Sequence, residues 1–516
     1  MFPIRWFFKA ALALRRFQLR RSLADPAATQ QHHLLAMVRR ARDTRWGRAH
    51  DYAHIRSVAD FQARVPITGY REQSPWWHRA YEGERDVTWP GHIDYFALTS
   101  GTTLGASKAM PVSRDAIRAN VRSGLSLLEV IHRQVPGADL TAGQLLYLSG
   151  CTELQQRGSC MEGDASGINA RHVPRIGQKY RLPEPDIAAI RDWEQKVQAI
   201  CDRYLDAPVR ALIGLPSWTL ILLRRLIDTG QQRYGPHIRT VADLWPDLKV
   251  FVNFGMGFGP YRRQFETLIG APVALIDTYS SSEGGMNAVQ DDLDDPGMRL
   301  ELDGGAFFEF VPIEDHGKPE PRRLTLDQVE PDQPYAVILS TVSGIWAYDL
   351  GDVVRFTSTS PPRFVFASRT ALQLNTFGEH VIQHDLEAAM SHACAETGAS
   401  VSEFSVAPLL PTAEDPRGGH TWLVEFDGVV PPLDVVAARL DEKLCDCSDD
   451  YALHRQRDFG MVPPRVIPLT EGTFYEWMRN AGRLGGQNKV PRICRSDHMF
   501  EQLQEISGRR IPTTVE

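Results

Sequence analysis

At 516 residues the chain is too long for one small core, so two or three folded units are expected, one large and one smaller. Hydrophobic residues make up 43%, charged residues 23% and the net charge is −7, which excludes the broad basic face of a nucleic-acid binder and leaves an enzyme-sized globular protein. Seven scattered cysteines form neither an even disulfide framework nor a CxxC zinc site, and a reducing cytoplasm fits them.

The first segment, MFPIRWFFKAALALRRFQLRRS, is apolar and arginine-rich. Its apolar runs are too short to span a bilayer, and Arg5, Arg15, Arg16, Arg20 and Arg21 interrupt them. No small-residue cleavage site follows, so a cytoplasmic protein without stable membrane insertion is expected. An amphipathic helix docked on the body is the reading adopted, with peripheral membrane contact as the other one. Next, YFALTSGTTLGASKAM (Tyr95 to Met110) starts like a strand and breaks into hydroxyl residues and glycines. Ser100, Thr102 and Thr103 supply hydroxyls, Gly101 and Gly105 supply freedom, and Lys108 supplies charge, a composition suited to phosphate oxygens. The GxxxxGK[ST] pattern is absent here, and a plain Ser/Thr-rich turn is the competing reading.

DIAAIRDWEQKVQAICDRYL places Ile187, Ile190, Trp193, Val197, Ile200 and Tyr204 on one helical face, and Asp186 is expected to cap that helix. A second helix is expected over SWTLILLRRLIDTG, opened by Ser217 and stopped near Gly230. KVFVNFG, VALIDTY, AFFEFV, YAVILST and RFVFASR are rich in β-branched and aromatic residues and read as strands. After them come a polar QLNTFGEH, a fresh helix VIQHDLEAAMSHACA, a strand HTWLVEF and a helix PLDVVAARLDEKL, which together predict a compact α+β tail. The fold class is therefore α/β: a large mixed N-terminal domain with several sheets and flanking helices over residues 1–370, and a smaller α+β domain over 371–516.

Four segments stand in the order seen in adenylate-forming enzymes. TSGTT with its following glycine and lysine resembles their phosphate loop, DTYSSSEGG their Tyr-Gly-x-Thr-Glu-like segment, YDLGDVVRF their ribose-binding Gly-Asp segment, and GGQNKVPRI their late lysine segment. GLPSW, LWPDLKVF, FFEFVP, NTFGEH and NKVPR narrow the resemblance to the acyl-acid amido synthetases, the Gretchen Hagen family of auxin- and jasmonate-conjugating plant enzymes and their bacterial relatives. It runs from about Arg40 to Arg495. The arginine-for-lysine bias is compatible with a bacterial genome of high GC content.

That resemblance implies an ATP-dependent, AMP-forming ligase. A carboxylate attacks the α-phosphate of ATP, giving an acyl adenylate and pyrophosphate, and an amine, expected to be an amino acid, then displaces AMP. The first step joins two anions, so cationic groups, N–H donors and Mg²⁺ must align them. Ser100, Gly101, Thr102 and Thr103 would hold the outer phosphates, and Lys108 is an optional charge or a solvated loop residue. Glu283 is the expected Mg²⁺ ligand, with a helix cap as the alternative. Ser282 would donate to the α-phosphate, and Tyr279 would pack on adenine or lie in the core. Asp352 would accept from both ribose hydroxyls, turn formation being its other role. Arg369 would contact ribose or phosphate, although ASR stands where a Gly-Arg pair is common.

Lysine is rare in this chain, and Lys489 would bridge the attacking carboxylate and the nucleotide, a solvated loop residue being the alternative. It would need a mobile small domain, hinged at Ala371 to Phe377. Trp218, Ile213, Phe254 and Met256 would line the acyl pocket, with Leu148 and Cys151 as further candidates. GDASGINARH would shape the same cavity, and His420 reads as structural. The expected partners are a small carboxylic acid and an amine, with no nucleic acid, and a monomer is the default. A coenzyme A or carrier-protein ligase using the same adenylation, or a nucleotide-binding protein that has lost catalysis, are the competing functions.

Overall fold

Caps set several helix starts in this chain. Asp25 accepts from the Ala28 N–H ahead of helix Pro26–Ala41, and Ser113 from the Ala116 N–H at 3.0 Å ahead of helix Arg114–Gln134. Each such bond satisfies one of the first-turn N–H groups a helix leaves unpaired, worth about 1 kcal/mol. The structure is a computed structural model, and it describes residues 2–99, 108–370, 373–374, 379, 381–409, 417–455, 461–486, 488–494 and 497–508.

The predicted helix over Asp186 to Leu205 is two helices, Pro185–Ala188 and Trp193–Tyr204. Asp192, not Asp186, caps the longer one, accepting from the Gln195 N–H at 2.8 Å. The carbonyls that would carry the first turn onward are drawn away, Ala188 O by Lys196 Nζ at 3.0 Å and Ala189 O by Cys151 Sγ at 3.1 Å. The next helix begins at Pro216 and ends at Tyr234. Proline suits the first helical position, where no N–H is needed, and the chain leaves at Gly235 with a φ of +106°. Gly230 lies inside that helix, against Leu244 and Ile238.

All five strands predicted for the body are present, as Val250–Phe254, Ala274–Ser281, Ala306–Pro312, Pro334–Thr341 and Pro362–Arg369. Among the described residues they belong to an eleven-stranded mixed sheet. Its parallel half runs through Arg181–Leu182, Gln144–Tyr147, Val209–Gly214, Val250–Phe254 and Ala274–Ser281. From the last of these the chain turns back as Gly285–Val289, which opens the antiparallel half. A smaller four-stranded sheet holds Tyr95–Thr99 between antiparallel Lys108–Val112 and parallel Cys160–Asp164.

The described chain forms two compact units. The first comprises Met1–Leu215, Arg225–Gly255 and Ala271–Phe366. Helix Arg114–Gln134 buries Leu127, Val130 and Ile131 on Ala211, Val250, Val252 and Ile276 of the parallel strands, and an aromatic core around Trp46, Tyr52, Phe61, Trp77 and Trp346 lies elsewhere in the unit. The second unit comprises Pro216–Arg224, Met256–Gly270 and Ala367–Glu516. Strands Val401–Leu409 and Gly419–Phe426 pair antiparallel, Arg465–Leu469 adds in parallel, and helices Gln383–Thr397 and Leu433–Cys447 share their core.

Candidate functional site

In a parallel α/β sheet, ligands sit beyond the carboxyl ends of the strands, where loops and helix starts expose their polar groups. In the first unit three neighbouring parallel strands end together. Register pairs Ile213 with Val252 and Phe254 with Thr278, so Ile213, Phe254 and the turn after Tyr279 share one edge. Tyr147, at the end of the adjoining parallel strand, sets its ring 6.5 Å from Phe254, edge to face.

Ser282 and Glu283 form the apex of a hairpin between Ala274–Ser281 and Gly285–Val289. No helix starts there, so Glu283 is not a helix cap. The hairpin is braced from below, because Ser281 Oγ accepts from the Gly284 N–H at 3.0 Å and from Asn287 Nδ2 at 3.2 Å. Gly285 has a φ of +74°, and a Cβ there would fall 1.8 Å from Asn120 Oδ1, so only glycine permits this approach. Asn120, on helix Arg114–Gln134, also donates to Asn169 Oδ1 at 3.0 Å. Asn169 belongs to helix Ala165–Arg171 in the GDASGINARH segment, which Asp164 caps. One asparagine thus joins that segment to the Glu283 hairpin.

Asp352 is buried in the long strand Ile345–Thr359 and accepts from the Tyr279 hydroxyl through Oδ2 at 2.7 Å. The Tyr279 ring packs edge-on to Phe364 at 5.3 Å and beside Phe366, so the ring is core and its link to the site runs through the hydroxyl. The bend next to Asp352 falls on Gly351, whose φ is +75° and whose N–H donates to Asp349.

Lys489 lies in the second unit, half-buried, on a segment fastened at both sides. Before it, Trp218 Nε1 donates to Asn488 O at 2.7 Å. After it, Arg492 is buried and bonded to Glu403, Tyr261 and the Phe404 carbonyl, with its guanidinium 4.2 Å from the Phe404 ring. Burial works against this charge, but Glu403, Tyr261 and Glu387 outweigh it and hold the guanidinium ionised. Trp218 and Met256 belong to this unit, whereas Ile213 and Phe254 belong to the first. Arg369 ends strand Pro362–Arg369 and is counted with the second unit.

Ser100, Gly101, Thr102 and Thr103 lie outside the described residues, as do 371–372 and 375–377 of the expected hinge. Lys108 is exposed at the start of its strand, with Nζ 5.4 Å from the Tyr70 ring. Lys196 is a rare lysine with a structural post. It is buried and donates to the carbonyls of Ser149, Gly150 and Ala188, and burial pushes it down to about 8. Leu148 and Cys151 flank the loop it holds, and His420 lies buried beside Glu379. Asn120 and Lys196 had no sequence signal as site supports, and Asn169 and Arg492, although inside the GDASGINARH and NKVPR segments, carried no mark of the distant residues they bond.

A carboxylate beside hydroxyl side chains is a donor set suited to Mg²⁺, which favours hard oxygen ligands and keeps several from water or phosphate. Glu283, with Ser281 and Ser282 next to it, meets that description. Among the described residues no group of three or more His, Cys, Asp or Glu could hold a metal ion, so a cation at Glu283 would complete its shell from phosphate and water.

Three family models match the chain in order: the GH3 family N-terminal domain over 15–201, the central domain over 300–369 and the C-terminal domain over 384–498. The indole-3-acetic acid-amido synthetase GH3.4 of Arabidopsis thaliana is 23% identical, covering 91% of this chain and 89% of its own. Among solved structures, GH3.15 acyl acid amido synthetase has a TM-score of 0.77 at 18% identity over 95% of both chains. A 2-hydroxyisobutyryl-CoA ligase, in its postadenylation state with 2-HIB-AMP, has a TM-score of 0.58 at 14% identity, covering 94% of this chain and 93% of that one. Taken with the ordered motifs and the strand-end site, these matches show that the chain belongs to the GH3 family and is an adenylate-forming acyl-acid amido synthetase.

Proposed function

We propose that this synthetase joins a hydrophobic or aromatic carboxylic acid to an amino acid, using Mg²⁺ and ATP. A carboxylate oxygen of the acid attacks the α-phosphorus and pyrophosphate leaves. The amine nitrogen then attacks the acyl carbon, the bond to AMP breaks, and the amine loses a proton. The carrying observation is the convergence of Ile213, Phe254 and the Ser282–Glu283 apex at the ends of adjacent parallel strands, with Tyr279 of the same segment bonded to Asp352.

In this reading Ser100, Gly101, Thr102 and Thr103 hold the outer phosphates, Ser282 the α-phosphate, Asp352 the ribose hydroxyls, and Arg369 ribose or phosphate. Glu283 holds the cation, which lowers the charge on the phosphates when bound. The remaining groups supply alignment. Ile213, Phe254, Trp218 and Met256 contact the acid, and Lys489 serves adenylation as a compact charge between carboxylate and nucleotide. Residues 1–370 form the adenylating part and 371–516 the smaller part carrying the lysine, within a bacterial cytoplasm. Support comes from the order of the motifs and from the two-sided fastening of the Lys489 segment by Trp218 and Arg492.

The test is a panel of acids and amines followed by mass detection of products together with pyrophosphate and AMP. Amide formation without thiol is expected, whereas thioester formation with coenzyme A alone would overturn the acceptor assignment. Lys489→Ala should slow acyl-adenylate formation by about 100-fold or more and leave aminolysis of a supplied adenylate within a fewfold of the parent. Equal loss in both half-reactions would remove the lysine from adenylation.

A further inference from the structure

The helix Phe2–Ala24 has apolar residues on two opposed faces. The inner one is fully used. Leu12, Arg15 and Leu19 are buried, and the Arg15 guanidinium is bonded to Ser126, Glu301 and Asp303, which fixes the helix against the first unit. At 100° per residue Trp6, Ala10, Ala13 and Phe17 line up on the opposite side, with Phe7 and Leu14 beside them. Trp6 is 68% exposed, Phe7 59%, Leu14 58% and Phe17 64%. These six residues make one continuous stripe, unlike the single exposed apolar residues that most surfaces carry.

Next to the stripe runs a basic row, Lys9, Arg16 and Arg20, all exposed, with Arg5 and Arg21 nearby. Arg5 reaches Asp139 at 3.1 Å and Arg16 lies 3.8 Å from Glu129, while among the described residues Lys9, Arg20 and Arg21 make no ion pair. The helix contains no acidic residue although the chain carries a net charge of −7. A second copy of this face would set basic row against basic row. No helix of the described residues is long and apolar enough to cross a membrane.

We propose that the outer face of helix Phe2–Ala24 docks the enzyme on an anionic lipid bilayer, lying in the plane of the interface. Trp6, Phe7, Leu14 and Phe17 enter the boundary between headgroups and acyl chains, and Lys9, Arg16, Arg20 and Arg21 meet the lipid phosphates. Tryptophan and phenylalanine on one stripe with long cationic stems beside them is the composition that settles at such a boundary. Because Arg15 fixes the inner face, the outer face is presented ready-made. Each basic residue near an anionic surface raises the partition constant about fivefold.

The experiment is flotation of the full chain with vesicles of phosphatidylcholine alone and of phosphatidylcholine with phosphatidylglycerol in about a 7:3 ratio. Binding to the mixed vesicles is expected, with a fall on raising salt and little binding to phosphatidylcholine. The double variants Trp6→Ser with Phe17→Ser and Lys9→Gln with Arg20→Gln should each lose about tenfold or more in binding. Lipid-free amide synthesis should be unchanged in both. As a second readout, brominated lipid should quench tryptophan emission in the parent and less in Trp6→Phe. No binding to the mixed vesicles, binding undiminished in both double variants, or a change of oligomeric state in the serine variant without vesicle binding would each overturn the proposal, the last making this face a protein interface.

Discussion

At the scale of single residues, the pair Tyr279 and Asp352 couples two motifs separated by 73 positions in the chain. If Asp352 reads ribose, the Tyr279 hydroxyl fixes one of its oxygens and leaves the carboxylate correctly turned. Tyr279→Phe removes that donor from a buried acceptor, a loss of about 1–3 kcal/mol. The expected outcome is a KM for ATP raised about tenfold, with aminolysis of a supplied adenylate little changed, measured by steady-state and single-turnover kinetics. An unaltered KM for ATP would take the pair out of nucleotide binding. Glu283, Asp352 and Lys489 were legible as candidates because each sits in a short motif whose chemistry is local. Asn120 was not. It stands on a helix as one polar residue among several, and only the fold brings it to Gly285 and Asn169.

At the scale of elements, strands were read well and helix ends less so. Strands such as Ala306–Pro312 are buried on both faces and write themselves as mainly aromatic and aliphatic runs, broken here only by the buried Glu309. The break after Ala188 was hidden because its causes, Lys196 Nζ and Cys151 Sγ, come from outside a hydrophobic pattern that continues through it. The first helix shows the same limit. Its arginines look alike in sequence, yet Arg15 is 1% exposed between Glu301 and Asp303 while Arg16 and Arg20 face solvent. Arg15→Met would strip the part-buried Asp303 of its two-pronged partner and take one cation from Glu301, which keeps Arg299 and Ser126, and a loss of about 1–3 kcal/mol in urea unfolding is expected. Burial pushes the Asp303 carboxyl up, but Arg15 overrides it and holds the group below its ordinary range. The stability from that pair is therefore present above the unfolded carboxylate pKa and is lost as pH falls through the folded one. Unfolding curves at neutral pH and at about pH 3 should accordingly differ less in Arg15→Met than in the parent.

At the scale of the whole molecule, the second unit draws on three stretches of chain, including Pro216–Arg224 and Met256–Gly270. Composition carries no mark of this, because those stretches sit between ordinary strands of the first unit and join the second through long-range contacts. Tyr261 bonds Glu403 at 2.9 Å and also meets Arg492, and Arg224 pairs with Asp427 at 2.8 Å. Residues 371–516 produced alone would lack both partners and leave Glu403 and Arg492 less well satisfied. That fragment is expected to show no cooperative thermal transition by circular dichroism, and one melting like the full chain would show that the 216–224 and 256–270 stretches are dispensable. A consequence for protein engineering lies in the bond from Trp218 to Asn488. A saturation library at position 218, built to change which acid is accepted, would also loosen the backbone next to Lys489. With Lys489 serving adenylation as proposed, clones from such a library that look like altered selectivity will include ones that have only slowed adenylation of every acid. Sorting them requires turnover on at least one unrelated acid, and because the acceptor is the Asn488 main-chain carbonyl, a library confined to side chains that keep a hydrogen-bond donor at position 218 offers a route to new selectivity without that penalty.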